Sequence, residues 1–302
     1  MRTKPSSLLG IEALDRDAIV SLLRLARRMD PAKAKPVLRG RHIVLLFYEP
    51  STRTRVSFEL AAHALGATTY VVHATASSIE KGESLLDTGR TLRAIGADLI
   101  VIRHPSSGAP SLLARHLNIP IVNAGDGMHE HPTQALLDAF TIERHKRKLA
   151  GLRIAVIGDI YHSRVARSDI HLLSKFGARL TLCGPAELVP DVAATLAPGL
   201  RVTRRVDEAL ADADVVMLLR VQKERFTGTE LRPEHYISAY QLTPERLRRA
   251  RRNALVMHPG PMIRGMELTD EVADGAQSVV LEQVQNGVHI RMAVLARSLG
   301  AA

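Results

Sequence analysis

Short runs rich in β-branched and leucine side chains alternate with stretches of helical periodicity, and this alternation restricts the fold more than any other feature of the chain. The first such run is His42-Ile-Val-Leu-Leu-Phe47, followed by the polar turn Glu49 to Arg55 and a helix-like stretch from Val56 to Leu65. Candidate strands recur at Thr68 to Val72, Asp98 to Ile102 and Ile119 to Val122, with helices near Ser84 to Ile95 and Ser111 to His116. An amphipathic helix precedes them, with Ile19, Leu22, Leu23, Ala26 and Met29 on one face and Asp15 placed to cap it. A long helical segment, Thr133 to Arg147, leads into a second series of strands at Arg153 to Ile157, Arg179 to Leu182, Asp214 to Leu219 and Ala254 to Met257. Strands that alternate with helices form parallel sheets covered on both faces. The expected fold is therefore α/β, with two doubly wound parallel-sheet domains joined by helices and a boundary near residue 135. A long C-terminal helix is expected from about Val272 to Leu299, interrupted near Asn286-Gly287.

The 302 residues suffice for two domains of ordinary size, and 46% hydrophobic with 24% charged residues exclude a disordered or collagen-like chain. The single cysteine, Cys183, excludes an internal disulfide framework and a cysteine-based zinc cluster, and fits a reducing compartment, so a cytoplasmic location is expected. No apolar run approaches the roughly 18 residues of a membrane span, and Met1 to Gly10 lacks signal-peptide order, so no membrane association is expected. Lys+Arg exceed Asp+Glu by 41 − 31 = 10, which raises the question of nucleic acid. With no Trp, five Tyr and five Phe there are few rings on which bases could stack, so small anionic ligands explain the charge better. The dense run Arg246, Arg248, Arg249, Arg251 and Arg252 is expected on a solvated helix face.

In open α/β sheets, ligands bind beyond the carboxyl ends of the strands, so polar residues directly after apolar runs are the candidates. Ser51-Thr-Arg-Thr-Arg55 places hydroxyl and guanidinium groups at a helix start, whose free N–H groups and dipole suit a phosphate; the alternative is that Ser51 or Thr52 merely caps the helix. Arg103-His-Pro105 follows Leu99-Ile-Val-Ile102, and His129-Glu-His-Pro-Thr-Gln134 joins imidazole and amide groups to another helix start. The two histidines lack metalloprotease spacing and a thiolate partner, so no metal is expected. Arg220-Val-Gln222 and Arg164 suit a ligand with carboxylates, which guanidinium groups bind in bidentate fashion. Gly158-Asp-Ile-Tyr-His-Ser163 lacks the dinucleotide fingerprint, and the chain has no P-loop motif.

Phe47-Tyr-Glu-Pro-Ser-Thr-Arg-Thr-Arg-Val-Ser-Phe58, Arg103-His-Pro105 and His131-Pro-Thr-Gln134 resemble the transcarbamoylases. Arg220-Val-Gln-Lys-Glu-Arg225 and His258-Pro-Gly-Pro261 narrow the resemblance to the catalytic chains of the aspartate branch of that family, and the motifs run in order through nearly the whole chain. The resemblance implies transfer of the carbamoyl group of carbamoyl phosphate to L-aspartate, giving N-carbamoyl-L-aspartate and phosphate in pyrimidine biosynthesis. Residues 1–134, with a C-terminal helix 286–302 packing back on them, would be the carbamoyl-phosphate-binding domain, and residues 135–285 the aspartate-binding domain. Carried over motif by motif, Ser51, Thr52, Arg53 and Thr54 would bind the phosphate, and Thr54, Arg103 and His131 would face the carbonyl oxygen. Gln134 and the carbonyls of Pro259 and Gly260 would hold the carbamoyl amino group, while Arg164, Arg220 and Gln222 would receive the aspartate carboxylates.

The family also implies a homotrimer in which a loop from the neighbouring subunit completes each site; Ser77 and Lys81 match that loop, with Lys81 reaching the aspartate. Glu49 is a candidate ion-pair partner across the domains. A regulatory chain or a dihydroorotase are further partners the resemblance admits. No cofactor is expected, because carbamoyl phosphate already carries its leaving group and direct amine attack needs no enzymic nucleophile. The alternatives are an ornithine-type enzyme, whose members carry Cys in the histidine-proline motif and an His-Cys-Leu-Pro segment, and a catalytically silent scaffolding homologue.

Overall fold

A computed structural model of the chain describes residues 6–73, 82–221 and 232–302. It divides into two compact units, Met1–Leu137 with Val284–Ala302, and Asp138–Gln283. The first unit opens with helix α1 (Arg16–Arg28), where Asp15 caps the N-terminus by accepting from Ala18 N and Ile19, Leu22, Leu23 and Ala26 form the buried face. There follow β1 (His42–Phe47), α2 (Thr52–Ala64), β2 (Thr68–His73), α3 (Leu85–Ala94), β3 (Leu99–His104), α4 (Ala109–His116), β4 (Ile121–Asp126) and α5 (Pro132–Lys146). The strands form one parallel sheet in the order β2-β1-β3-β4. Five of the six β1 residues and all six of β4 are buried, as expected of strands covered on both faces.

The second unit contains β5 (Arg153–Ile157), α6 (Arg164–Lys175), β6 (Arg179–Cys183), β7 (Arg201–Thr203), α7 (Val206–Leu210), β8 (Val215–Leu218), α8 (Pro233–Tyr240), α9 (Pro244–Leu247), β9 (Leu255–Met257) and α10 (Asp270–Ala273). Its sheet is again parallel, in the order β7-β6-β5-β8-β9. The two doubly wound sheets are the expected fold. A final helix, α11 (Val280–Ser298), completes the chain.

Two expectations need correction. The last helical region is two helices, and α11 runs through Asn286-Gly287 without a break. The break lies earlier, because Val256 N donates to Gln277 O at 2.8 Å and Val279 N to Val256 O at 3.0 Å, so that β9 claims backbone groups a helix would need. Gly287 is not a terminator: a Cβ there would lie 2.3 Å from Arg291 Nη1, so its absence makes room for a guanidinium that itself sits 5.1 Å from the Phe58 ring centre. The basic run is not a helix face either. The helix α9 ends at Leu247, and beyond it Arg249 pairs with Asp207 at 2.8 Å and Arg251 with Asp214 at 2.9 Å, so part of the positive charge is spent on fixing turns.

Within the second unit, Asp169 on α6 is 1% exposed and neither carboxylate oxygen has a hydrogen-bond partner among the described residues. Burial, and secondarily the Asp138 charge, push its pKa well above the ordinary carboxylate value. The folded state then holds a proton that the unfolded chain has already released, so stability falls as pH rises from the unfolded pKa of about 3.9 through the raised folded one. Asp169→Asn is expected to raise Tm, by about 2–4 °C for each kcal/mol recovered, and more at pH 8 than at pH 5. Calorimetric melts at the two pH values check it; equal gains at both would contradict the raised pKa.

Candidate active site

In the first sheet the chain turns from β1 to one side for β2 and then crosses back for β3, so the loops after β1 and β3 diverge and leave a crevice at their carboxyl ends. Phe47 is the register partner of Arg103, and Tyr48 N donates to Arg103 O at 2.9 Å, so the Ser51–Thr54 turn and Arg103 issue from adjacent strand ends. Ser51 occupies the N-cap position of α2 without making a side-chain capping bond. Thr54 is buried, and Ser57 donates its hydroxyl back to the carbonyls of Arg53 at 2.6 Å and Thr54 at 3.0 Å, stiffening the first turn. Desolvation lowers the Arg53 pKa from the ordinary guanidinium value.

Arg103 is held from two sides. Its Nε lies 3.3 Å from Glu49 Oε2, and Nη1 donates to Ala124 O at 3.4 Å. Glu49, singled out for a partner across the domains, thus engages an arginine of its own unit. The next residue, His104, stacks on Tyr48 with ring centres 4.5 Å apart, and burial lowers its pKa; its Nδ1 accepts from Ser106 N at 2.9 Å. From the third neighbouring strand, β4, the chain reaches His131, which is 4% exposed and directly precedes α5, and Gln134, whose N–H donates to His131 O at 3.0 Å. Glu130 fixes this turn by accepting from Ile11 N, at 2.8 Å for the shorter bond, and from Glu12 N at 3.0 Å.

The second sheet repeats the device. Its strand order reverses between β5 and β8, where Ile157 pairs with Leu218. Gly158 leaves β5 at φ +129°, and a Cβ there would lie 2.7 Å from Leu219 O, so only glycine admits this close approach of the two strand ends. Asp159 then accepts from His162 N at 3.1 Å and engages its Nδ1 at 2.9 Å, and Ser163 caps α6 by accepting from Ala166 N at 3.1 Å. Arg164 is the first residue of that helix. Arg220 follows β8, and the N–H of its neighbour Val221 donates to Glu267 Oε1 at 3.0 Å. Glu267 Oε2 accepts from Ile263 N at 2.5 Å and lies 3.8 Å from His258 Nε2, with both side chains fully buried. His258 Nδ1 accepts from Gly260 N at 2.8 Å, which makes it the unprotonated nitrogen of that ring. Glu267 therefore joins the loop of Arg220 to the loop of Pro259 and Gly260.

The structure thus groups Ser51, Thr52, Arg53, Thr54, Arg103, His131 and Gln134 at the carboxyl edge of the first sheet, and Arg164, Arg220, Pro259 and Gly260 at that of the second. Ser77, Lys81 and Gln222 lie outside the described residues. Sequence reasoning missed the supporting acids Glu130, Asp159 and Glu267; a place in a polar turn or beside a strand end was an available signal for the first two, and none marked Glu267. Among the described residues, no three His, Cys, Asp or Glu side chains gather as a metal would need. Cys183 is buried and its thiol is pushed up to about 12, so it is not a nucleophile at neutral pH.

Residues 6–144 match the aspartate/ornithine carbamoyltransferase carbamoyl-P binding domain, and residues 150–298 the Asp/Orn binding domain of the same enzymes. The chain belongs to the aspartate/ornithine carbamoyltransferase family. It is 63% identical to the aspartate carbamoyltransferase catalytic subunit of Koribacter versatilis, over 97% of this chain and 96% of that one. It is 53% identical to the corresponding subunit of Solibacter usitatus, over 98% of this chain and all of the other. Among solved structures it resembles aspartate transcarbamoylase from Trypanosoma cruzi in complex with carbamoyl aspartate and phosphate, with a TM-score of 0.89 and 34% identity, over 98% of this chain and 96% of that one. The ornithine carbamoyltransferase of Pyrococcus furiosus shares the fold, with a TM-score of 0.88 and 28% identity, over 99% and 98% of the two chains.

Proposed function

We propose that this chain transfers the carbamoyl group of carbamoyl phosphate to the amine of L-aspartate, giving N-carbamoyl-L-aspartate and phosphate for pyrimidine synthesis. The observation that carries the reading is the division of anion-binding chemistry between the two sheets: an uncapped hydroxyl-rich helix start beside Arg103 in one, and Arg164 and Arg220 after adjacent strands in the other. The first suits a phosphate and the second suits carboxylates. The first unit is the carbamoyl-phosphate-binding domain and the second the aspartate-binding domain in this reading. Aspartate is favoured over ornithine by the relatives at 63% and 53% identity and by His131-Pro-Thr-Gln134, which has no Cys.

The aspartate nitrogen attacks the carbonyl carbon, the bond from that carbon to the phosphate oxygen breaks, and phosphate leaves; no covalent intermediate with the enzyme forms. Ser51, Thr52 and Arg53 stabilise the leaving phosphate, while Thr54, Arg103 and His131 donate to the carbonyl oxygen as negative charge builds on it. Gln134 and the carbonyls of Pro259 and Gly260 hold the carbamoyl amino group, and Arg164, Arg220 and Gln222 bind the carboxylates. The departing phosphate is the base that the reaction itself supplies for the amine proton. No cofactor takes part. A homotrimer, with Ser77 and Lys81 entering a neighbour's site, and a cytoplasmic location belong to the same reading; a regulatory chain or a dihydroorotase are partners compatible with it. No helix among the described residues is long and apolar enough to cross a membrane.

Incubation of the purified chain with carbamoyl phosphate and either L-aspartate or L-ornithine, followed by carbamoyl product and phosphate release, tests the reading directly. Aspartate alone should react; product from ornithine alone would overturn the assignment of the second substrate. Arg103→Ala should lower kcat by about 10²- to 10³-fold, the usual cost of one lost oxyanion donor, and an unchanged kcat at saturating substrates would remove Arg103 from that role. Mixing inactive Arg53→Ala and Lys81→Ala chains by joint refolding should restore activity, since a mixed trimer contains an intact site. Mixed trimers without activity would disprove the shared site.

A further inference from the structure

One buried carboxylate stands between the loop that follows the β3 end bearing Arg103 and the turn that carries His131. Asp126 is the last residue of β4 and is 1% exposed. Its Oδ2 accepts from Gly108 N at 2.7 Å and meets His129 Nδ1 at 3.1 Å. Its Oδ1 accepts from Asn123 Nδ2 at 2.8 Å and from Glu130 N at 3.1 Å. Gly108 closes the loop that leaves β3 after Arg103 and His104, and Glu130 directly precedes His131. Backbone bonds run parallel to these: Gly127 N donates to His104 O at 2.9 Å, and Asp126 N to Glu130 O at 3.1 Å. A carboxylate has about four lone-pair sites, and here four groups address them. An asparagine would offer one oxygen and turn an N–H₂ group toward two donors.

We propose that Asp126 is a positioning residue for the carbamoyl transfer, holding Arg103 and His131 at the separation that a shared carbonyl oxygen requires. The inference rests on the function proposed above, because only there do these two side chains act on one atom. The effect is indirect, since Asp126 reaches the reacting atoms only through the segment that follows β3 and the turn before His131. A displacement of about 1 Å in such a group costs about 10²-fold in rate. Binding of aspartate, assigned to Arg164 and Arg220 in the other unit, is not expected to depend on it.

The experiment compares wild type with Asp126→Asn, Asp126→Ser and His129→Ala, measuring kcat, the KM of each substrate and the folded fraction by circular dichroism at the assay temperature. Asp126→Asn should lower kcat by about 10- to 100-fold and raise the KM for carbamoyl phosphate, with the KM for aspartate retained. A partly unfolded population would lower kcat only in proportion to its size and would move neither KM. The Asp126→Ser variant is smaller and keeps one acceptor for Gly108 or Glu130, so it should fold and lose less activity. His129→Ala removes the half-exposed partner alone and leaves Gly108 N, Asn123 Nδ2 and Glu130 N on the carboxylate, so it should stay within about twofold of wild type. A loss no larger than the unfolded fraction, a loss confined to the KM for aspartate, or failure of both Asp126 variants to fold would overturn the assignment. Wild type inactive with aspartate would instead refute the proposed function itself.

Discussion

The reversal of strand order at the middle of each sheet is the constraint on which the rest depends. In a parallel sheet every strand must return by a crossover, and right-handed crossovers place successive helices on one face until the direction of growth changes. Only where it changes do two neighbouring strands send their following loops apart, and only there does the backbone leave a crevice at the carboxyl edge. In the first unit the change falls between β1 and β3, and in the second between β5 and β8. The turn beginning at Ser51 and the residue Arg103 follow from the first, and Arg164 and Arg220 from the second. Their placement is a consequence of topology before it is one of chemistry.

Topology brings loops near one another but does not hold them. Loops carry backbone N–H groups that no ladder satisfies, and a buried acid is the side chain best able to collect several of them at once. Glu130 joins the N-terminal segment to the turn before His131, Asp159 shapes the turn before Arg164, and Glu267 links the loops of Arg220 and Gly260. Each acid answers the amide groups of a segment distant in sequence or of a tight turn. Asp169 is the contrast: equally buried, it collects no donor among the described residues, and burial raises its pKa. The same residue type therefore braces one turn and burdens a neighbouring helix, according to whether N–H groups face it.

The alternation of strands and helices was legible because period and apolar content are local properties, as the agreement of β1 with His42–Phe47 and of α1 with its Asp15 cap shows. The candidate residues were legible because they stand directly after those strands in motifs of dense polarity. What stayed hidden was set by contacts distant in sequence. Asn286-Gly287 signals a break in any local reading, yet the helix continues because the missing Cβ admits Arg291. The break at residues 274–279 arises from pairing with Val256, which no local pattern announces. Likewise, Glu267 lies between Met266 and Leu268 with nothing to mark it, and its role exists only once Val221 and Ile263 are folded against it.

In the proposed reaction, an anion bound at each sheet leaves no step that requires an enzymic nucleophile. An acyl donor with a poor leaving group would need a covalent intermediate to split the barrier, and hence a base beside an activated hydroxyl or thiol. The lone thiol here is buried and its pKa is raised, the opposite of activation. Carbamoyl phosphate brings the activation with it, which leaves the protein two tasks: to fix both anionic substrates and to meet charge where it moves. In the proposed reaction fixed guanidinium and N–H groups perform both without reorganising, and such preorganisation is effective only if the donors cannot drift. The rigidity that buried acids impose on the segments around Arg103, His131 and Arg220 is then part of the proposed catalysis, because a donor free to relax would meet the ground state as well as the transition state and lose its preference for the latter.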